Sequence, residues 1–138
     1  MRRRVLAVVF VVAAFLALAA PAQAFVAHLH APGHHPTECE KWPIRVSAHT
    51  RSGRPLHATA LYKYLYQGDV VGTASPYGRN STRPYPFKGH FRDKLRFPSE
   101  SVGIPLTFRI VLKTKHHGKE RIDYRIKVRS GPRECHFT

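Results

Sequence analysis

The chain has 138 residues, 23 Lys and Arg against 8 Asp and Glu, and a formal net charge of +15. That length suits one compact domain and excludes two independent cores. The charge draws anionic partners of every kind, wall polymers, lipid headgroups and nucleic acid alike, and selects none of them.

The chain opens Met-Arg-Arg-Arg, followed by an almost unbroken apolar run from Val5 to Ala20 and then Pro21-Ala-Gln-Ala24. A basic start, an apolar middle and a small-x-small ending predict a secretory signal peptide over residues 1–24, helical in its apolar part and cut after Ala24. The run falls short of the about 20 residues that a membrane-spanning helix needs, which argues against an uncleaved anchor. No cysteine stands at the cut, so no lipid anchor is expected. Cleavage would remove 24 residues and three arginines, leaving 114 residues with a net charge of +12. The expected address is secreted or cell envelope, with no transmembrane span in the mature chain.

Residues 25–38 include the run His28-Leu-His-Ala-Pro-Gly-His-His-Pro. They hold four histidines, several Pro and Gly residues and no apolar period, and are read as a disordered His/Pro-rich arm ahead of a domain spanning 39–138. Clustered histidines take up Cu or Zn, so His28, His30, His34 and His35 are the candidate metal ligands of an alternative reading, an envelope metal-binding protein. A cut after Ala24 places His28 fourth, one position too late for the compact amino-terminal copper site. A cut after Ala27 would make His28 the first residue, similar to the start of periplasmic copper-carrier sandwiches. The leading reading needs no cofactor.

Beyond the arm, strand patterns recur about every ten residues between Gly and Pro punctuation, predicting an all-β antiparallel sandwich of about six to seven strands. Ile44-Arg-Val-Ser-Ala48 alternates apolar and polar, and Ser52-Gly-Arg-Pro55 turns the chain. From Leu56 to Tyr66, one face carries Ala58, Ala60, Tyr62, Tyr64 and Tyr66, a small-then-large stripe that reads as core. Gln67-Gly-Asp69 is a hairpin turn, and residues 75–86 are a loop. Phe87, Gly89, Phe91, Leu95 and Phe97 share one parity of a single strand. Leu106 to Leu112 and Ile122 to Val128 complete the set, joined by a tip at His116-His-Gly-Lys119.

The runs Trp42-Pro-Ile-Arg-Val46, Ser52-Gly-Arg-Pro-Leu-His-Ala58, Phe91-Arg-Asp-Lys-Leu-Arg-Phe-Pro98 and Val102-Gly-Ile-Pro-Leu-Thr-Phe-Arg-Ile-Val111 resemble small secreted bacterial immunoglobulin-like domains. The resemblance implies a single immunoglobulin- or fibronectin-III-like β-sandwich in an exported protein. It departs from antibody-type domains in its cysteines, Cys39 and Cys135, which flank the predicted strands. Export makes a disulfide between them the default, with thiolate metal ligation as the weaker alternative because no C-x-x-C spacing is present.

Chemical motifs are scarce. No G-x-S-x-G, H-E-x-x-H or P-loop pattern occurs. His49, His57, His116 and His117 at strand ends leave a small secreted basic hydrolase or nuclease as a third reading, and the expectation is that the protein is not an enzyme. Asp93 shares parity with Phe91 and Leu95, which points a carboxylate inward; a β-bulge or a buried partner would resolve that. The cations are better ordered. Arg92, Lys94 and Arg96 share one outward face; Arg109, Lys113 and Lys115 share another, as do Arg121, Arg125, Lys127 and Arg129. These ten form the candidate anion-binding set. No stacking aromatics lie between them, so nucleic acid is not expected. The expected partner is an anionic envelope polymer or another envelope protein.

Overall fold

The computed structural model describes residues 24–135, so the predicted signal peptide lies outside the described residues as far as residue 23. Its elements are β1 (Val26–His30), β2 (Trp42–His49), β3 (His57–Tyr66), β4 (Asp69–Ser75), β5 (Gly78–Arg79), β6 (Tyr85–Lys88), β7 (His90–Leu95), a 3-10 turn (Ser99–Ser101), β8 (Pro105–Thr114) and β9 (Lys119–Lys127). The smaller sheet runs β1-β2-β7; the larger runs β5-β4-β3-β8-β9, with β6 also pairing β3. Every ladder is antiparallel. The chain is an all-β antiparallel sandwich.

Alternation builds the core. In β2, Trp42, Ile44, Val46 and Ala48 are buried, while Pro43 and Arg45 between them are exposed. Ala58, Ala60 and Tyr62 of β3 and Phe108, Ile110 and Leu112 of β8 meet them from the larger sheet. Each fully buried large apolar side chain of this kind stabilises the fold by about 1.5–3 kcal/mol. The tyrosine stripe behaves as core at its inner end: Tyr62 is buried, Tyr64 packs against the cluster, and Tyr66 emerges at the rim. At the β3–β4 turn, Gln67 and Gly68 both have positive φ (50° and 89°), the geometry of a two-residue hairpin, where glycine suits the second position.

Two expectations are corrected. Residues 25–38 are not a disordered arm. Phe25 is only 1% exposed, and β1 pairs with β2 from Val26↔His49 to His30↔Arg45. Ala27, Leu29 and Ala31 pack on the core while His28 and His30 face outward. The chain then runs along the free edge of β9: the Lys127 amide donates to His34 O, Arg129 to Pro36 O, and Glu38 to Arg129 O, at 2.9–3.0 Å. An unpaired edge needs partners for its backbone groups, and this segment supplies them.

The second correction concerns the strand expected from Phe87 to Phe97, which is two strands in opposite sheets. β6 pairs β3, β7 pairs β2, and the chain changes sheet at Gly89. Gly89 (φ 73°) donates to Leu56 O at 2.9 Å and accepts from the Ala48 amide at 2.8 Å. A Cβ there would lie 2.9 Å from Pro55 Cβ, so the crossing needs glycine.

The disulfide Cys39–Cys135 is formed, with the two Cα atoms 5.7 Å apart. It closes the pole where the chain enters β2 and leaves after β9. Trp42 beside it packs edge-on against Phe97 and Phe108 and donates from Nε1 to Gly33 O at 3.2 Å.

Candidate anion-binding face

The outward side of the larger sheet can be read row by row from the register. One row is Lys63–Arg109–Asp123, the next Leu61–Val111–Arg121, the next Thr59–Lys113–Lys119; toward the other end come Leu65–Thr107–Arg125 and Pro105–Lys127. Lys113 and Lys119 stand directly opposite each other, a like-charge pair that a sheet bears at a cost. Lys88 of β6 faces His57, and these two line one shallow groove with Lys113 and Lys115. Leu65 and Val111 share this outward face and are buried without belonging to the core cluster. Long cationic side chains cover such apolar neighbours with their methylene stems while the charge stays in water.

The ten candidate cations are therefore divided. Lys113, Lys115, Arg121, Arg125 and Lys127 lie together on this face. Arg109 is there too but is neutralised: its Nε and Nη2 donate to the two Asp123 oxygens at 2.6 and 2.8 Å. That bidentate contact holds the Asp123 carboxyl below the usual carboxylate range, against a smaller opposing effect of desolvation. Arg129, just past β9, donates to Thr37 Oγ1 at 3.0 Å. Arg92 and Lys94 of β7, and Arg96 beyond it, are exposed on the side of the smaller sheet. The sequence reading missed Lys63, Lys88 and Lys119, which join the face only through pairing across strands.

Carboxylates are kept away. Of the chain's eight Asp and Glu, only Asp123 stands on this face. Asp93 points inward; Glu38 is buried and accepts from the Gly131 amide at 2.8 Å; Glu120 accepts from the Ala24 amide at 2.6 Å. Asp69 lies at the β3–β4 turn, Glu100 in the 3-10 turn, and Glu40 and Glu134 beside the disulfide.

The four candidate metal ligands do not gather. His28 and His30 project from the smaller sheet. His34 stacks on Tyr124 at 4.2 Å and its Nδ1 bonds the Arg125 carbonyl at 2.6 Å, and His35 Nδ1 lies 3.3 Å from the Lys127 carbonyl. Among the described residues, no three His, Cys, Asp or Glu side chains converge on one point.

Asp93 has its buried partner. No bulge interrupts β2–β7, so the carboxylate does face inward; Oδ2 accepts from the Tyr62 hydroxyl at 2.8 Å and Oδ1 from the Lys94 amide at 2.7 Å. It lies at a cleft of about 430 Å³ between β4–β5 and β7, lined also by Tyr64, Gly72, Arg79 and Phe97. Burial, with the Asp93 charge adding to it, raises both the Tyr62 and Tyr64 hydroxyls far above the ordinary tyrosine range. Both phenols thus stay protonated at any physiological pH, as hydrogen-bond donors and not as bases.

No protein-family model matches the chain, and no curated protein matches it in sequence.

Proposed function

We propose that the protein is an exported, immunoglobulin-like, non-catalytic module that associates with an anionic polymer of the cell envelope through the outer face of its larger sheet. The observation that carries this reading is charge segregation. A face shaped only for solubility mixes both signs. Here Lys63, Lys88, Lys113, Lys115, Lys119, Arg121, Arg125 and Lys127 share a face whose one carboxylate, Asp123, is consumed by Arg109. Export is supported by the signal-like start, and a disulfide suits an oxidising compartment. A polymer without bases is favoured over nucleic acid because Phe87 and His34, which line grooves beside these cations, are already packed against Phe91 and Tyr124, leaving His57 as the exposed ring of the Lys113 groove.

The test is retention on an immobilised linear phosphodiester polymer, poly(glycerol phosphate), as salt is varied. Affinity should fall steeply between about 0.05 and 0.5 M salt, as exposed charges are screened. The double reversal Lys113→Glu with Lys119→Glu should weaken it at least about tenfold at 0.1 M salt, one decade being about 1.4 kcal/mol. Retention that ignores both salt and reversal would overturn the reading.

A further inference from the structure

The smaller sheet carries its own outward face, and pairing composes it of residues that lie far apart in sequence. Its rows are His28–Ser47–His90, His30–Arg45–Arg92 and, past the end of β1, Pro43–Lys94. His28, His30, Arg45, His90, Arg92 and Lys94 are all exposed. No carboxylate points out among them: Asp93, the one acid on these three strands, turns inward to Tyr62 and to the Lys94 amide. His30, Arg45, Arg92 and Lys94 line one shallow groove on this side. Arg45 and Arg92 stand directly opposite each other, a second like-charge pair of the kind made by Lys113 and Lys119.

The two cationic faces therefore look in opposite directions. Packed sheets are about 10 Å apart, and outward side chains add to that on both sides. The separation exceeds the screening length of about 10 Å at 0.1 M salt, so each face meets its own anion without feeling the other's. From this we infer that the domain is bivalent: it holds one anionic polymer chain on the larger sheet and a second on the smaller, and so cross-links them. This rests on the function proposed above and adds a second site to it.

The two sites differ in their chemistry. The larger sheet's face is built mainly from Lys and Arg, with His57 beside Lys113 in one groove and His34 and His35 beside Arg125 and Lys127 in another. The smaller sheet has three fixed cations, Arg45, Arg92 and Lys94, and three imidazoles, His28, His30 and His90. The groups that face these imidazoles are Ser47, Arg45 and Arg92, with His49 at the end of β2 opposite Val26. Asp93 also lines the groove of His30, Arg45, Arg92 and Lys94, its carboxylate held by the Tyr62 hydroxyl and the Lys94 amide.

A two-stage capture separates the claims. Full-length mature protein is bound to immobilised poly(glycerol phosphate), and a fluorescent chain of the same polymer is then added. The bound protein should recruit the labelled chain. Arg92→Glu with Lys94→Glu should leave first-stage capture within about threefold of the parent and cut recruitment at least about tenfold. The first of these reversals sets a carboxylate opposite Arg45, an attractive cross-strand pair, so the variant keeps its fold; an unchanged melting temperature checks that. Capture without recruitment, or recruitment indifferent to the β7 reversals, overturns bivalency and leaves the single-face function standing. Absence of capture overturns both.

Discussion

Along one side of the sandwich, residues 25–38 are stitched to both sheets. Phe25 enters the core, β1 extends the smaller sheet, and His34 to Glu38 bond to the backbone of residues 127–129 at the edge of β9. The disulfide follows at once. Along the other side, β7 and the β4–β5 hairpin do not meet over Asp93, and a cleft remains. There the edges are blunted instead of covered. β7 has an inward carboxylate and the charges of Arg92 and Lys94. β4 has a register shift opposite Tyr64 and Leu65, with Val70 and Val71 exposed. Inward charges and bulges are recognised ways of keeping an edge from pairing. One side is thus closed by hydrogen bonds, apolar burial and a covalent bond, the other guarded by charge. Substitutions on the closed side should cost far more.

The largest difference should come from the disulfide. Replacing Cys39 and Cys135 by Ser frees a loop spanning 96 positions and should lower the unfolding free energy by about 4–5 kcal/mol on the loop-entropy estimate, measured by urea unfolding. Unchanged stability would mean that the hydrogen-bonded strap holds this pole alone. Next, Phe25→Ala should cost about 3–4 kcal/mol, because the ring is fully enclosed. A loss below about 1 kcal/mol would return this segment to the status of a detachable arm. Smallest is Gly72→Ala on the open side. The position has no positive φ, and a Cβ would sit 3.5 Å from the Tyr64 ring, an ordinary contact. The change should stay within about 0.5 kcal/mol by thermal melting. A loss of about 2 kcal/mol or more would show that the open side is as tightly built as the closed one.

Much of this was legible beforehand. Alternation in Trp42–Ala48, Ala58–Tyr64 and Phe108–Leu112 named inward and outward sides correctly, since strand parity is a local property with period two. The cysteine pair followed from the signal-like start and from there being two cysteines. The strap was missed although Phe25, Ala27, Leu29 and Ala31 do alternate; small alanines weaken the apolar signal, and four histidines suggested metal instead. The sheet change at Gly89 was missed because parity continues across it, so Phe87 and Phe91 both face inward with ring centroids 4.7 Å apart. Asp93 was legible as an anomaly, while its partner Tyr62 was not, being 31 positions away on the facing sheet.

The sequence by itself determined the sides taken by residues along β2, β3, β8 and β9, the covalent pole and the excess of positive charge, because each depends on neighbouring residues or on composition. Tertiary structure decided which strands share a sheet and in what register. That choice set Lys113 against Lys119 and Arg45 against Arg92, gave Asp123 to Arg109, and divided ten candidate cations between two opposite faces. Cross-strand neighbours are fixed by pairing between distant segments, and pairing is settled by how the two apolar faces bury each other, a property of the whole chain.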